Sequence, residues 1–361
     1  MLFIIVATAL AFDFTNGFHD TANAVATSIS TRAMGPRAAV TMAAALNFVG
    51  AFLSLAVAAT IASGIVNAAD VTPEIVFAGL IGAIAWNLAT WYFGLPSSSS
   101  HALIGGVVGA TLAAVGTSGV YFDGLFEKVV IPALVAPALA FICAGLSILI
   151  IYRIVGRQRP GTVSRGFRLG QIVSGSLFSL SHGTNDAQKT MGIIFLALIA
   201  NGNMTEADDI PSWVIVSSAT AIALGTYVGG WRIIRTMGSR IIKMDPAQGF
   251  AAQGVGAAVI LSASHVGFPL STTQVISGGI MGAGAAKRVS AVRWGVAGNI
   301  VVAWVLTLPA SAAVGALTYG VTRVFGTGAA GPVVVSVCLL LALVWALARR
   351  MSAGRTLTAE G

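Results

Sequence analysis

Long apolar runs, interrupted by a few polar residues and separated by short charged loops, make up nearly the whole chain. They lie near residues 1–31, 38–66, 74–93, 96–117 and 128–152, then near 168–200, 212–231, 248–266, 269–285, 293–320 and 331–348. About 20 apolar residues cross a bilayer core as a helix. Lipid offers no partner to a free backbone group, so each run predicts a helix. The pattern is that of an all-α polytopic membrane protein with eleven crossings, within a range of about 10–12 transmembrane segments.

Composition agrees: 56% of residues are hydrophobic and 9% charged, with a mean hydropathy of +0.88, outside the range of a soluble domain. Cys143 and Cys338 sit in apolar runs without metal-ligand spacing and read as small core residues. No basic region precedes the apolar start at Leu2, so the first segment is expected to be a retained span and not a signal peptide.

The net charge of +8 would suggest nucleic acid in a soluble protein, but the charges are sorted by loop. Arg32 and Arg37, then Arg153 to Arg168, Arg232 to Lys243, Lys287 to Arg293, and Arg349 to Arg355 hold 17 of the 20 Lys and Arg residues. The positive-inside rule puts these loops in the cytoplasm of a multi-pass cell-membrane protein. The intervening loops carry Asp70 and Glu74, Asp123 and Glu127, and Glu206, Asp208 and Asp209. With that sidedness the first segment runs inward and its counterpart near Arg168 runs outward. The expected organisation is a first inverted repeat over 1–152, a basic linker over 153–167, a second repeat over 168–325, and a C-terminal helix and basic tail over 326–361.

Two polar motifs recur in the same order in the two halves. Gly17-Phe18-His19-Asp20-Thr21-Ala22-Asn23-Ala24 corresponds to Gly183-Thr184-Asn185-Asp186-Ala187-Gln188-Lys189-Thr190, at an offset of 166. Pro96-Ser97-Ser98-Ser99-Ser100-His101 corresponds to Pro269-Leu270-Ser271-Thr272-Thr273-Gln274, at an offset of 173.

An intramembrane acid costs roughly 2.5 to 3.5 kcal/mol at a helix centre unless paired or hydrated, which marks Asp20 and Asp186 as functional. The neighbouring glycines predict a helix broken beside each acid, with freed carbonyls available to a cation. Asp20 with Asn23, and Asp186 with Asn185, offer oxygens suited to a hard cation such as sodium or to a proton site. Asp13 fits either the same cavity or the outer membrane edge. The second motif suits an anion: a proline-opened first turn presents hydroxyls beside free N–H groups at the positive end of a helix. Ser98, Ser99 and Ser100 facing Ser271, Thr272 and Thr273 would hold a tetrahedral oxyanion with neutral donors. Thr21, Ser97, Gln188 and Gln274 are further candidates, with Asn47 and Asn87 behind them. His19, His101, His182 and His265 fit either a polar partner or a proton carrier.

The duplicated motifs resemble those of the PiT family of inorganic phosphate transporters over essentially the whole chain. The resemblance implies an inverted-repeat fold with broken helices or re-entrant hairpins, phosphate as usual substrate with sulfate in some members, and coupling to sodium or protons. It makes Asp20, Asn23, Asn185 and Asp186 coupling-ion residues, with a cation expected at Asp20, Asn23 and Asp186, and makes the Ser/Thr clusters phosphate ligands. The sodium-coupled pattern has Asn where this chain has His19 and Lys189. These departures resemble the bacterial Pit subgroup, associated with protons and neutral metal-phosphate complexes, and add both residues to the coupling and gating set.

The chain is thus expected to be a transporter and not an enzyme, with no cofactor beyond the carried phosphate, its coupling proton or sodium and a divalent metal travelling with the anion. Its partners are the small anion and the lipid bilayer, with room for a homo-oligomer and no nucleic acid. Three other readings compete. A sulfate permease would use the same fold. An intramembrane aspartyl protease would use the two acids but leave the Ser/Thr repeats unexplained. A passive anion channel would leave the acids unexplained.

Overall fold

The computed structural model describes residues 1–341, and the regular elements within them are helices, with one isolated bridge between Val66 and Val120. The first series runs α1 (Leu2–Ser30), the pair α2 (Pro36–Gly50) and α3 (Ala56–Ser63), α4 (Pro73–Phe93), α5 (Ser99–Val115), the short α6 (Phe122–Leu125) and α7 (Ile131–Val155). The second runs α8 (Pro160–Ala200), the pair α9 (Ser212–Val228) and α10 (Trp231–Arg235), α11 (Pro246–His265), α12 (Thr272–Lys287) and α13 (Trp294–Val324), before an apolar helix from Ala330 to Leu341. A further π turn continues α6 into α7. The tail arginines expected on the cytoplasmic side, Arg349, Arg350 and Arg355, lie outside the described residues.

Local chemistry sets many of these boundaries. Pro36, Pro73, Pro160 and Pro246 each open a helix, where their fixed φ fits and their missing N–H costs nothing. Asp245 closes a capping box with Gln248 at the start of α11. The basic stretch expected as a linker is largely helical: α7 runs to Val155 and α8 starts at Pro160.

Leu2–Ser30, Pro73–Phe93, Phe122–Val155 and Trp294–Val324 are each long and apolar enough to cross a bilayer, and Ser212–Val228 with Trp231–Arg240 forms a span bent by 58°. The lipid-facing character is plain on α7 and α13, where Leu134 is 71% and Val305 70% exposed. A soluble fold would turn such residues inward.

The expected break beside each acid does not occur. α1 runs unbroken through Asp20, and α8 runs unbroken through Asp186. The glycines serve close packing instead. A Cβ at Gly17 would overlap the carbonyl of Ile222 on α9, and one at Gly183 would overlap the carbonyl of Asn47 on α2. The interruptions fall elsewhere: between α2 and α3, between α9 and α10, and in the loops 94–98 and 266–271 that lead into α5 and α12.

The halves interlock. α7 packs on α12 and α13 on α5, while α1 lies along α9 and α2 along α8. Thr31, just past the end of α1, donates to Gln171 near the start of α8 at 2.6 Å. Ala24 O, later on α1 than Asp20, accepts from Gln253 on α11.

Two apolar clusters flank a polar layer. Ile5, Ala9 and Phe12 of α1 join one cluster with Met191 to Leu198 of α8 and parts of α3, α4, α5 and α9. Ala22 to Ala26 of α1 join the other with Phe178 of α8 and residues of α11, α12 and α13. Between them lie Asp13 to Thr21 on α1 and Ser179 to Thr190 on α8, where nearly every polar side chain is buried. The candidate site occupies this seam.

Candidate functional site

Four pieces of chain bring the recurring motifs together: the middles of α1 and α8, and the beginnings of α5 and α12. Asp20 is the hub. Its Oδ2 accepts from Ser99 on α5, and its Oδ1 accepts from Thr273 on α12 at 3.2 Å. Asn23, one turn on, donates to Thr273 at 2.9 Å and to Thr272 at 3.2 Å. The starts of α5 and α12 therefore converge on one turn of α1.

His19 also contacts Asp20, Nδ1 to Oδ1 at 2.6 Å, and its Nε2 lies 3.1 Å from Thr90 Oγ1. Thr90 gives its hydrogen to the Trp86 carbonyl at 2.9 Å and accepts from Ser97 at 2.8 Å. Which ring nitrogen of His19 carries hydrogen sets whether Thr90 gives or accepts, and the short contact between Nδ1 and Oδ1 pairs the imidazole with the Asp20 carboxyl group.

Asp186 is held differently. Lys189 Nζ lies 2.5 Å from its Oδ1 and also donates to Ser100 Oγ and to the Leu270 carbonyl, the latter at 2.9 Å. Carboxylate, hydroxyl and carbonyl oxygens are what a hard cation would take. Here the chain's own buried ammonium takes them. Thr272 donates to Asp186 Oδ2 at 3.3 Å. His182 Nε2 lies 3.1 Å from the same oxygen, off the line of a hydrogen bond. His182 Nδ1 faces Asn47 Oδ1 at 3.2 Å, and Asn47 in turn donates to Thr226.

Of the twelve residues that the sequence assigned to the anion and the coupling ion, nine meet in one network: His19, Asp20, Asn23, Asp186, Lys189, Ser99, Ser100, Thr272 and Thr273. Ser98 and Ser271 spend their oxygens as N-caps, accepting from His101 N at 3.1 Å and Gln274 N at 3.3 Å. Pro96 and Pro269 accordingly precede the caps and do not open the helices, contrary to the reading from sequence; the hydroxyl caps take that role. Asn185 turns away to Ser264 at 2.9 Å, beside the loop before α12. Gln188 accepts from Val57 N at 2.8 Å and so caps the buried start of α3.

Sequence reasoning left out Thr90 and the Leu270 carbonyl and gave His182 no defined role. His182 stands four residues before Asp186 on one helix, a spacing that places both on one face. Thr90 and Leu270 had no comparable signal, because only the turn of the chain brings them in. Ligand atoms of Asp20, His182 and Asp186 lie within 4.8 Å of one another, all buried, a grouping that could hold a metal ion.

The hydroxyls at the starts of α5 and α12 sit beside backbone N–H groups that helix geometry leaves free, the arrangement that binds oxyanions. Each hydroxyl has one hydrogen, and those of Ser99, Thr272 and Thr273 are given to carboxylates.

Known proteins carry the same arrangement of sequence. A family model described as "Phosphate transporter family" matches residues 16–315. The chain is 57% identical over 327 residues to a probable low-affinity inorganic phosphate transporter of Mycobacterium tuberculosis, covering 90% of this chain and 78% of that one. It is 48% identical to a probable low-affinity inorganic phosphate transporter of Bacillus subtilis, covering 88% and 95%. Among solved structures, the sodium-dependent phosphate transporter superposes with a TM-score of 0.82 at 26% identity, covering 90% of this chain and 99% of that one. With the motif residues assembled at one buried site and the match running through both halves, the chain belongs to the phosphate transporter family.

Proposed function

We propose that this membrane protein imports inorganic phosphate by proton symport through the seam between the two apolar clusters. The observation that carries the reading is the sharing of hydroxyl hydrogens between carboxylates and anion site. Ser99 and Thr273 donate to Asp20, so an anion between α5 and α12 must compete for the same hydrogens. A proton added to Asp20 takes up an acceptor position and releases a hydroxyl to the anion. Proton binding and anion binding then favour each other, as symport requires.

The two acids divide the work. Asp186 is paired with Lys189 within the protein, whereas Asp20 faces His19 and has no lysine or arginine beside it among the described residues. The mobile proton therefore belongs to the His19–Asp20 pair, and Lys189 stands where a second coupling cation would bind. Moving a divalent anion inward against an inside-negative potential costs about 4.6 kcal/mol per 100 mV. Charge must enter with it. The convergence of Asp20, His182 and Asp186 favours a divalent metal as part of the cargo, since a metal-phosphate complex would bear no net charge.

The end of α1 meets the first part of α8 where Thr31 bonds Gln171, and the start of α1 shares an apolar cluster with the end of α8, so the two equivalent helices run in opposite chain direction, which supports an inverted repeat. The basic loops then share the cytoplasmic face of the cell membrane. A cavity of about 420 Å3 there, lined by Gly94, Arg232, Arg235 and Arg240, adjoins the loop leading into α5 and suits an anion leaving the site.

The test is uptake of radiolabelled phosphate into proteoliposomes in sodium-free buffer under an imposed proton gradient, with excess sulfate as competitor. Gradient-driven uptake that sulfate spares is expected. Equal uptake with and without the gradient would sink proton coupling, and uptake abolished by sulfate would move the reading to the other oxyanion.

A further inference from the structure

The most conspicuous buried group outside the coupling pair is Asp13, which is fully buried on α1. Neither carboxylate oxygen meets a hydrogen-bond partner among the described residues. Thr190 on α8 and Asn16 on α1 are the polar side chains facing it, and the Thr190 hydroxyl and both the oxygen and the nitrogen of the Asn16 amide are likewise buried without partners. The Thr190 hydroxyl is unusual in this. Elsewhere in the seam such hydroxyls donate to a carbonyl four residues back, as Thr21 does to Gly17, Ser179 to Gly175 and Thr184 to Leu180.

A buried carboxylate left alone is costly, and water, a proton or a metal ion must offset that cost. The neighbours decide between these. A proton would occupy one carboxylate oxygen and leave the acceptors of Asn16 and Thr190 as they are. A monovalent cation is matched by the whole set: one carboxylate, one amide oxygen and one hydroxyl. It also balances charge, because Lys189 and Asp186, the charged groups near enough to act on Asp13, already neutralise each other. A divalent ion would leave a charge over.

The grouping occurs once. At the offset of the first motif, Asp13 corresponds to Ser179, Asn16 to His182 and Thr190 to Ala24. It therefore lies outside the duplicated machinery, seven residues or about 10 Å along α1 from Asp20. We propose that Asp13, Asn16 and Thr190 form a binding site for a hard monovalent cation, separate from the Asp20–Asp186 centre, for which sodium is the suitable probe. The proposal rests on the transport reading only for its consequence: a cation here would support phosphate uptake without replacing the proton gradient.

Thermal unfolding of the purified full-length protein in detergent, without phosphate, titrated with sodium chloride against choline chloride at constant ionic strength, tests it. The unfolding midpoint should rise saturably with sodium in the wild type and in Asp20→Asn, and should not respond in Asp13→Asn. Thr190→Val should need several-fold more sodium for half the rise, which keeps the test decisive if Asp13→Asn does not fold. No sodium-specific rise in the wild type would overturn the site in favour of water or a proton. So would an undiminished response in Asp13→Asn or Thr190→Val, or a response lost in Asp20→Asn. Because no phosphate is present, failure here leaves the transport reading to its own assay.

Discussion

A serine hydroxyl has one hydrogen to give, and at Ser99 that hydrogen goes to Asp20. The Asp20→Asn variant imitates the protonated acid and should retain phosphate exchange while losing its dependence on a pH gradient. Counterflow measured at matched internal and external pH, beside gradient-driven uptake, separates the two. Loss of both together would mean that Asp20 only builds the site. Lys189 makes a different kind of statement. Removing one partner of a buried ion pair costs roughly 3 to 5 kcal/mol, mostly from the charge left behind. Lys189→Met should therefore lower the unfolding midpoint sharply, and adding Asp186→Asn should recover part of the loss. Additive effects in that double-mutant cycle would show that the pair is not coupled.

At the scale of elements, the continuity of α1 and α8 depends on close helix contact at their glycines. Overpacking costs typically 1 to 3 kcal/mol, and here the obstacle is backbone, which cannot move aside cheaply. Gly17→Val and Gly183→Val should each reduce folded yield and lower the unfolding midpoint with the site chemistry untouched. Full stability in either variant would contradict the packing against Ile222 or Asn47. The cap on α11 is a milder case. Asp245 also accepts from Tyr152 at 2.7 Å and pairs with Lys287 at 3.1 Å. Its replacement by Ala should cost about 1 kcal/mol, read as a small midpoint shift, since the pair is well exposed and adds little.

For the whole molecule, sidedness is the main consequence of the charge pattern. Single cysteines in place of Arg37 and Arg235 should react with an impermeant maleimide only after cells are opened, and those in place of Asp70 and Glu206 in intact cells. Labelling of all four from one side would refute the inverted arrangement.

Membrane character, the order of the helices and the duplicated polar motifs follow from the sequence because each is a local or periodic property. Apolar runs longer than a bilayer and repeated Asp and Ser/Thr clusters need no neighbour to be recognised. Most of the site was legible for the same reason, since a buried acid or hydroxyl cluster is conspicuous in an apolar segment. Only the tertiary structure decided how those residues are spent. It turned two glycines from helix breakers into contact points, made Ser98 and Ser271 caps, and turned Asn185 aside. It also gave Asp186 to Lys189 and Asp20 to His19, and left both oxygens of Asp13 without a hydrogen-bond partner among the described residues. A hydrogen bond or an ion pair belongs to two groups at once, and which two meet depends on how helices far apart in the chain cross.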